Sequence, residues 1–236
     1  MLNAFLMKSA TILSLGKNSI LKQIRKKKRQ SSISSANVIS GGIGIARFLA
    51  DPAWGTINFW VPIFFVETLH FSLKEIAMFV WLPFLLGDLG CLASGFVAKF
   101  FHDRGVSLIN SRRITFTIAA VIMMTIGLVS IVENPYIAVL LISIGAFSHQ
   151  CLSTVAATLG GDLFKKDEVA TAVGMAGACA WSGQLIFNLF IGAFVHIIGF
   201  APFFIALAFF DIIGAIALWM LIKVKDEEPQ VQLATS

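Results

Sequence analysis

Six apolar runs follow one another along the chain, at roughly 46–67, 75–98, 113–131, 136–158, 169–196 and 201–223, with short polar joints between them. Each is near the ~20 residues a helix needs to cross ~30 Å of hydrocarbon. A backbone in lipid has no water to bond, so a spanning segment satisfies its N–H and C=O groups internally, as a helix. A barrel is excluded because the runs lack period-two alternation. The pattern therefore predicts an all-α polytopic membrane protein, with a six-helix transmembrane bundle over 41–225. The fifth run is long, which predicts a tilted helix or one that starts in water. Residues 1–40 read differently. A mildly apolar stretch comes first, and then Lys22 to Arg29 carries six basic residues in eight positions. A cleaved signal has the opposite order, so none is expected. Ser31 to Asn37 reads as a polar linker, and 226–236 as a short tail.

Composition agrees. Of 236 residues, 57% are hydrophobic and 13% charged, about half the usual share of charge. A soluble fold of this size could not hide that much apolar surface, and the 22 Phe suit a lipid-facing one. The net charge of +5 does not indicate nucleic acid, because eight of the 18 Lys and Arg precede residue 30. Cys91, Cys151 and Cys179 lie inside apolar runs, as small buried residues rather than a disulfide set.

Loop charge sets an orientation. With the N-terminus inside, the inner segments hold the eight basic residues from Lys8 to Arg29. They also hold Lys99, Arg104, Arg112, Arg113, Lys165, Lys166, Lys223 and Lys225, whereas the outer loops hold only Lys74. The positive-inside rule then places both termini in the cytoplasm.

Polar side chains within the runs are the candidate chemistry, because an ionisable group in a bilayer costs about 2.5–3.5 kcal/mol on insertion scales. The first run is richest, with Arg47, Asp51, Trp54, Asn58 and Trp60. Arg47 and Asp51 are one turn apart and can pair. Asp51, Trp54 and Asn58 fall at i, i+3, i+7, a single stripe, beside Pro52 and Gly55. The pair either serves a site or only satisfies itself. The fourth run carries His149 and Gln150, with Ser153 and Thr154 one turn on; these polar groups bind substrate or join helices. The fifth repeats the first stripe with Trp181, Gln184 and Asn188, beside Gly174, Gly177 and Gly183. Such a stripe suits either a hydrated cavity wall or helix packing. Asp88, among Gly87, Gly90, Ser94 and Gly95, reads as part of a tight helix crossing. Asp211 has no local partner.

No catalytic or metal constellation is present. His70, His102, His149 and His196 are scattered, there is no His-x-x-x-His, no paired Cys and no phosphate-binding glycine loop. An intramembrane serine protease is disfavoured for want of a nucleophile motif. Neither enzyme activity nor a cofactor is expected.

Between the second and third runs the chain reads Gly95-Phe-Val-Ala-Lys-Phe-Phe-His-Asp103-Arg104-Gly105, then Arg112 and Arg113. This resembles the loop signature of the major facilitator superfamily: a helix-ending Gly, Asp-Arg-x-Gly and a basic pair. Ala46-Arg47-Phe48-Leu49-Ala50-Asp51-Pro52-Ala53-Trp54, then Phe59-Trp60-Val61-Pro62, is similar to the seventh helix of bacterial hexuronate transporters, in the superfamily's anion:cation symporter branch. His149-Gln150 resembles that family's tenth helix, and Gly174-Met175-Ala176-Gly177-Ala178 its eleventh. Asp162-Leu163-Phe164 resembles its short cytoplasmic loop. Where the hexuronate pattern is largely aromatic, this chain has Gly55-Thr56-Ile57-Asn58.

The resemblance implies the C-terminal half of a twelve-helix transporter, a 3+3 inverted repeat, with 1–40 as the central loop. It implies a truncated frame, a split gene or a relic. It further implies proton-coupled symport of a hexuronate or related sugar acid across a bacterial inner membrane. Expected partners are the organic anion, a proton or other coupling cation, the bilayer and a separate N-terminal six-helix half. Substrate-binding residues would be Arg47, Asp51, Trp54, Asn58, His149, Gln150, Trp181, Gln184 and Asn188. The alternatives are an aldonate, aldarate or dicarboxylate as substrate, a six-helix homodimeric carrier, or an inactive membrane remnant.

Overall fold

The computed structural model describes residues 41–164 and 166–222. The expectations for residues 1–40, Lys165, Lys223, Lys225 and the 226–236 tail lie outside them. The described chain is all helical, in six spans. Span 1 is α1 (41–50), α2 (Pro52–Phe59) and α3 (Val61–Glu67). Span 2 is α4 (Leu73–Phe79) and α5 (Leu82–Asp103), and span 3 is α6 (Leu108–Met123) with a 3₁₀ segment, Met124–Ser130. Spans 4, 5 and 6 are α7 (Pro135–Leu163), α8 (Val169–Ile198) and α9 (Ala201–Leu221). Spans 2 to 6 are each long and apolar enough to cross a membrane.

Span 1 differs from the unbroken helix its hydropathy suggests. Pro52 and Pro62 each remove one bond from its ladder, near Asp51 and Trp60, which keep helical dihedrals and donate to the Arg47 and Thr56 carbonyls. Proline lacks the N–H that closes the ladder and its ring crowds the preceding turn. Elsewhere the ends follow ordinary signals. Ser72 and Glu75 form a capping box at α4, and Asn134 Oδ1 accepts from the Tyr136 and Ile137 amides at α7. Gly105, with φ +89°, turns span 2 into span 3. The helix of span 2 does not end at Gly95 as the motif suggests but runs on to Asp103.

Span 5 packs on span 1, span 2 on span 4, and span 3 on span 6. Exchanging spans 1–3 with spans 4–6 leaves this pairing unchanged, as an inverted repeat requires. Two glycines mark it. A Cβ on Gly90 of span 2 would strike the Phe147 carbonyl of span 4, and one on Gly183 of span 5 the Phe48 carbonyl of span 1. The expected tight crossing at Gly87 and Gly90 is therefore present, but Asp88 itself is exposed.

The buried apolar residues form two clusters. One includes Ala53, Phe65, Met123, Ala146, Ile191 and Ala208. The other includes Ala50, Ala120, Cys151, Ala176 and Ala215. Between them along four of the spans lie buried polar residues: Asp51 in span 1, Ser148 and His149 in span 4, Gln184 in span 5 and Asp211 in span 6. A polar belt thus separates two apolar layers.

Candidate functional site

The belt is organised by the break in span 1. Pro52 offers no N–H to the Phe48 carbonyl one turn back, and Gly183 packs against that carbonyl. Arg47 stands one turn before Asp51. Its Nε donates to Asp51 Oδ2 at 3.0 Å and its Nη2 to Oδ1 at 3.3 Å, a two-point charge-assisted pair. Nη2 also donates to Ser153 Oγ of span 4 at 3.2 Å. From the same helix His149 brings Nε2 to 3.6 Å from Asp51 Oδ1. The pair expected from spacing alone is thus tied to the two span 4 residues that spacing placed one turn apart. The His149 ring also stacks on Trp54, 5.9 Å between centroids and 13° from parallel. Phe84 of span 2 meets Trp54 edge-on at 5.8 Å. Gln150 and Trp54 both lie against Gly87.

Asn58 leaves this group. Its Nδ2 donates to the Trp54 carbonyl at 2.7 Å, within its own helix. The stripe Asp51, Trp54, Asn58 therefore does not act as one surface: Asp51 and Trp54 meet span 4, and Asn58 satisfies the backbone.

The second stripe stays together. A cleft of about 400 Å³ is lined by Phe59, Trp60 and Ile63 of span 1 and by Trp181, Gln184, Leu185, Asn188 and Leu189 of span 5. Trp60 Nε1 donates to Asn188 Oδ1 at 3.0 Å, while Asn188 Nδ2 donates to the Gln184 carbonyl at 2.8 Å. Trp181, at 68% exposure, is the most exposed indole of the lining. The side chains of Gln184 and Asn188 occupy the space a Cβ at Gly55 would take. An aromatic ring there would collide with them, so the departure from the aromatic pattern at Gly55 has a packing reason. Trp60, named among the polar positions of the first run, is not in the expected substrate-binding set. Its signal was an indole one residue before the Val61-Pro62 break. Two aromatic faces flanking two amides can stack on a sugar ring and bond its hydroxyls.

The loop residues lie at the basic end of the bundle. Asp103 pairs with Lys99, and Arg104 lies over the Phe100 ring at 3.7 Å, just before Gly105 turns the chain. Arg112 bonds Asp162 at 3.1 Å, fastening span 3 to the end of span 4. Arg113 is buried, bonded to Asn110 Oδ1 at 3.2 Å and set over the Trp219 ring of span 6 at 5.1 Å. A Cβ at Gly95 would meet no neighbouring element within 4 Å. Among the described residues no cluster of His, Cys, Asp or Glu has metal-ligand geometry.

The family model described as Major Facilitator Superfamily matches residues 43–235. The hexuronate transporter of Escherichia coli (strain K12) is 45% identical over 194 residues, which is 82% of this chain and 44% of that protein. The galacturonate transporter of Dickeya chrysanthemi is 44% identical over 99 residues, 42% of this chain and 29% of that protein. The chain thus spans less than half the length of these curated relatives.

Proposed function

This chain belongs to the major facilitator superfamily, and from that premise we propose that it forms one half of a proton-coupled symporter for a hexuronate or closely related sugar acid. The observation that carries the reading is the cleft between spans 1 and 5, where Trp60 and Trp181 flank Gln184 and Asn188. Indole faces stack on a pyranose ring, and the amides bond its hydroxyls. Arg47 supplies the positive charge that draws the carboxylate, exchanging Asp51 for the substrate at the span 1 break. The similarity to a hexuronate transporter and a galacturonate transporter supports this class of substrate.

A second six-helix half closes the other side of the cavity, whether it lies on the same polypeptide or another. The basic end of the bundle, with Lys99, Arg104, Arg112, Arg113 and Lys166, faces the bacterial cytoplasm, and the Lys74 end faces outward. The Gly55 position favours one further reading within the class. With Gln184 and Asn188 where the resembled pattern has a ring, the wall gains amides and loses aromatic surface, which suits an open-chain aldonate or aldarate.

The test is uptake of labelled galacturonate by proteoliposomes under an inward proton gradient. Vesicles holding this chain with its companion half should accumulate label, and vesicles with this chain alone should not. Accumulation by the chain alone would favour a homodimeric carrier. No accumulation with the companion half, or accumulation driven by sodium and not protons, would overturn the reading. Competition by gluconate or galactarate stronger than by galacturonate would select the aldonate or aldarate. A reporter fused after Lys225 should read as cytoplasmic, and one after Lys74 as external.

A further inference from the structure

Asp211 lies in the middle of α9, fully buried, and neither carboxylate oxygen has a hydrogen-bond partner. The other carboxylate in the belt is supplied: Asp51 holds Arg47 in two bonds and has His149 beside it. A bare ionised carboxylate in a segment of this hydropathy is heavily penalised, and the neutral acid is not.

Among the described residues the surroundings of Asp211 offer no free cation. Span 6 crosses span 1 closely, one turn further on, where Gly214 lies against the Ala46 backbone. Span 1 carries Asp51 five residues on from Ala46, and its one basic side chain is Arg47. Its cation, Arg47, is committed to Asp51 and Ser153. The charged residues of α6, Arg112 and Arg113, are bound to Asp162 and set over Trp219, toward the basic end. The 3₁₀ segment Met124–Ser130 has no ionisable side chain. In α8 the thiol of Cys179 lies against Gly44, and His196 sits in the last turn at the opposite end. Span 4 brings His149 to Asp51.

We propose that Asp211 is a proton-binding site, and that one proton on its carboxylate keeps the set of Arg47, Asp51 and Asp211 neutral so that an organic anion can be admitted beside Arg47. This deepens the symport reading and rests on it for the anion. The balance is simple. Water on one side gives up a proton and an O–H bond forms on Asp211; the same bond breaks when the proton leaves to the other side. With Asp211 protonated, the set carries one positive and one negative charge, and an incoming anion makes the total −1. With Asp211 ionised the anion would make it −2. Proton and anion therefore raise each other's affinity, and by linkage they do so equally.

The infrared spectrum of the purified full chain in lipid vesicles, with carbon-13 in its aspartates, tests the site. At neutral pH a protonated carboxylic C=O band should be present. Asp211→Asn should remove it, Asp51→Asn should leave it, and alkaline titration should bleach it reversibly. Absence of the band, its survival in Asp211→Asn, or a band that bleaches only with loss of helical circular dichroism would overturn the proposal. Should Asp211→Asn fail to fold, Asp211→Glu should keep a band at a displaced frequency, and an unmoved band would equally overturn it. In vesicles with the companion half, Asp211→Asn should retain exchange of labelled for unlabelled galacturonate while proton-driven accumulation falls about tenfold or more. Equal loss of both, or of neither, would sink the coupling role. Failure of wild-type uptake would instead remove the sugar-acid reading and leave the infrared result standing.

Discussion

The bundle makes one backbone contact twice, and the two copies have been put to different uses. Gly90 of span 2 lies on the Phe147 carbonyl of span 4, and Gly183 of span 5 lies on the Phe48 carbonyl of span 1. The repeat exchange turns one crossing into the other. At the second crossing Pro52 leaves the Phe48 carbonyl without its helical donor, Arg47 and Asp51 pair beside it, and Gln184 and Asn188 follow on the partner helix. At the first, α7 runs unbroken, and the polar contact between the helices is a weak one, Cys91 Sγ to the Gln150 carbonyl at 3.9 Å. Small residues set the distance at both. The repeat supplies the frame, and the candidate chemistry collects where one copy departs from it.

The largest test of that contrast removes the charge from the broken crossing. Arg47→Ala leaves the Asp51 carboxylate buried without its arginine and with only the His149 ring beside it, which should cost about 3–5 kcal/mol. The double change Arg47→Met with Asp51→Leu should recover most of that stability and no uptake. Unfolding of the purified chain in mixed micelles reads the first, and vesicle uptake the second. If the double variant transports, the pair is packing alone.

The glycines test the shared frame. Gly90→Ala and Gly183→Ala each place a methyl group on a carbonyl, and each should lose about 1–3 kcal/mol by overpacking. The two losses should agree within error in the same unfolding assay; a loss at only one would show that the crossings are not equivalent. A smaller effect belongs to Asn188→Ala, which strips the Trp60 indole of its acceptor. It should cost about 0.5–1.5 kcal/mol and weaken galacturonate affinity, readable as a raised KM for uptake. Smallest is Cys91→Ala at the unbroken crossing, within about 0.5 kcal/mol of wild type. A large effect there would give that crossing a role it lacks in this contrast.

Much of the frame was legible in the sequence because lipid leaves so few choices. The six runs read as helices, and a four-residue spacing was enough to pair Arg47 with Asp51. What the stripes face was not legible. Asp51/Trp54/Asn58 and Trp181/Gln184/Asn188 share one spacing, yet the first divides and the second lines a cleft. Asn58 follows Trp54 by one turn, on the face of span 1 that meets spans 2 and 4, whereas Gly55 and Trp60 meet span 5, so Trp60 rather than Asn58 reaches Asn188. Asp211 stood out in the sequence as a carboxylate without a local partner, but its setting was not legible, because only the crossing at Gly214 lays span 6 against span 1. Likewise the reason for Gly55 lies on span 5, with nothing on span 1 to announce it.

The spacing of Arg47 to its two kinds of partner bears on how the chain enters the membrane. Asp51 follows by four residues, whereas Ser153 follows by 106. At about 5–20 residues per second of synthesis, Ser153 leaves the ribosome about 5–20 s after Arg47. Throughout that interval span 1 faces the translocon with an arginine near one end and two proline breaks. A carboxylate one helical turn away gives it a neutral pair as soon as the turn forms, so the segment is not asked to insert a lone charge. Separating the two residues, by an insertion between Arg47 and Asp51 that leaves both in place chemically, would therefore first be felt during biogenesis, as span 1 left outside the bilayer, before any question of substrate arises.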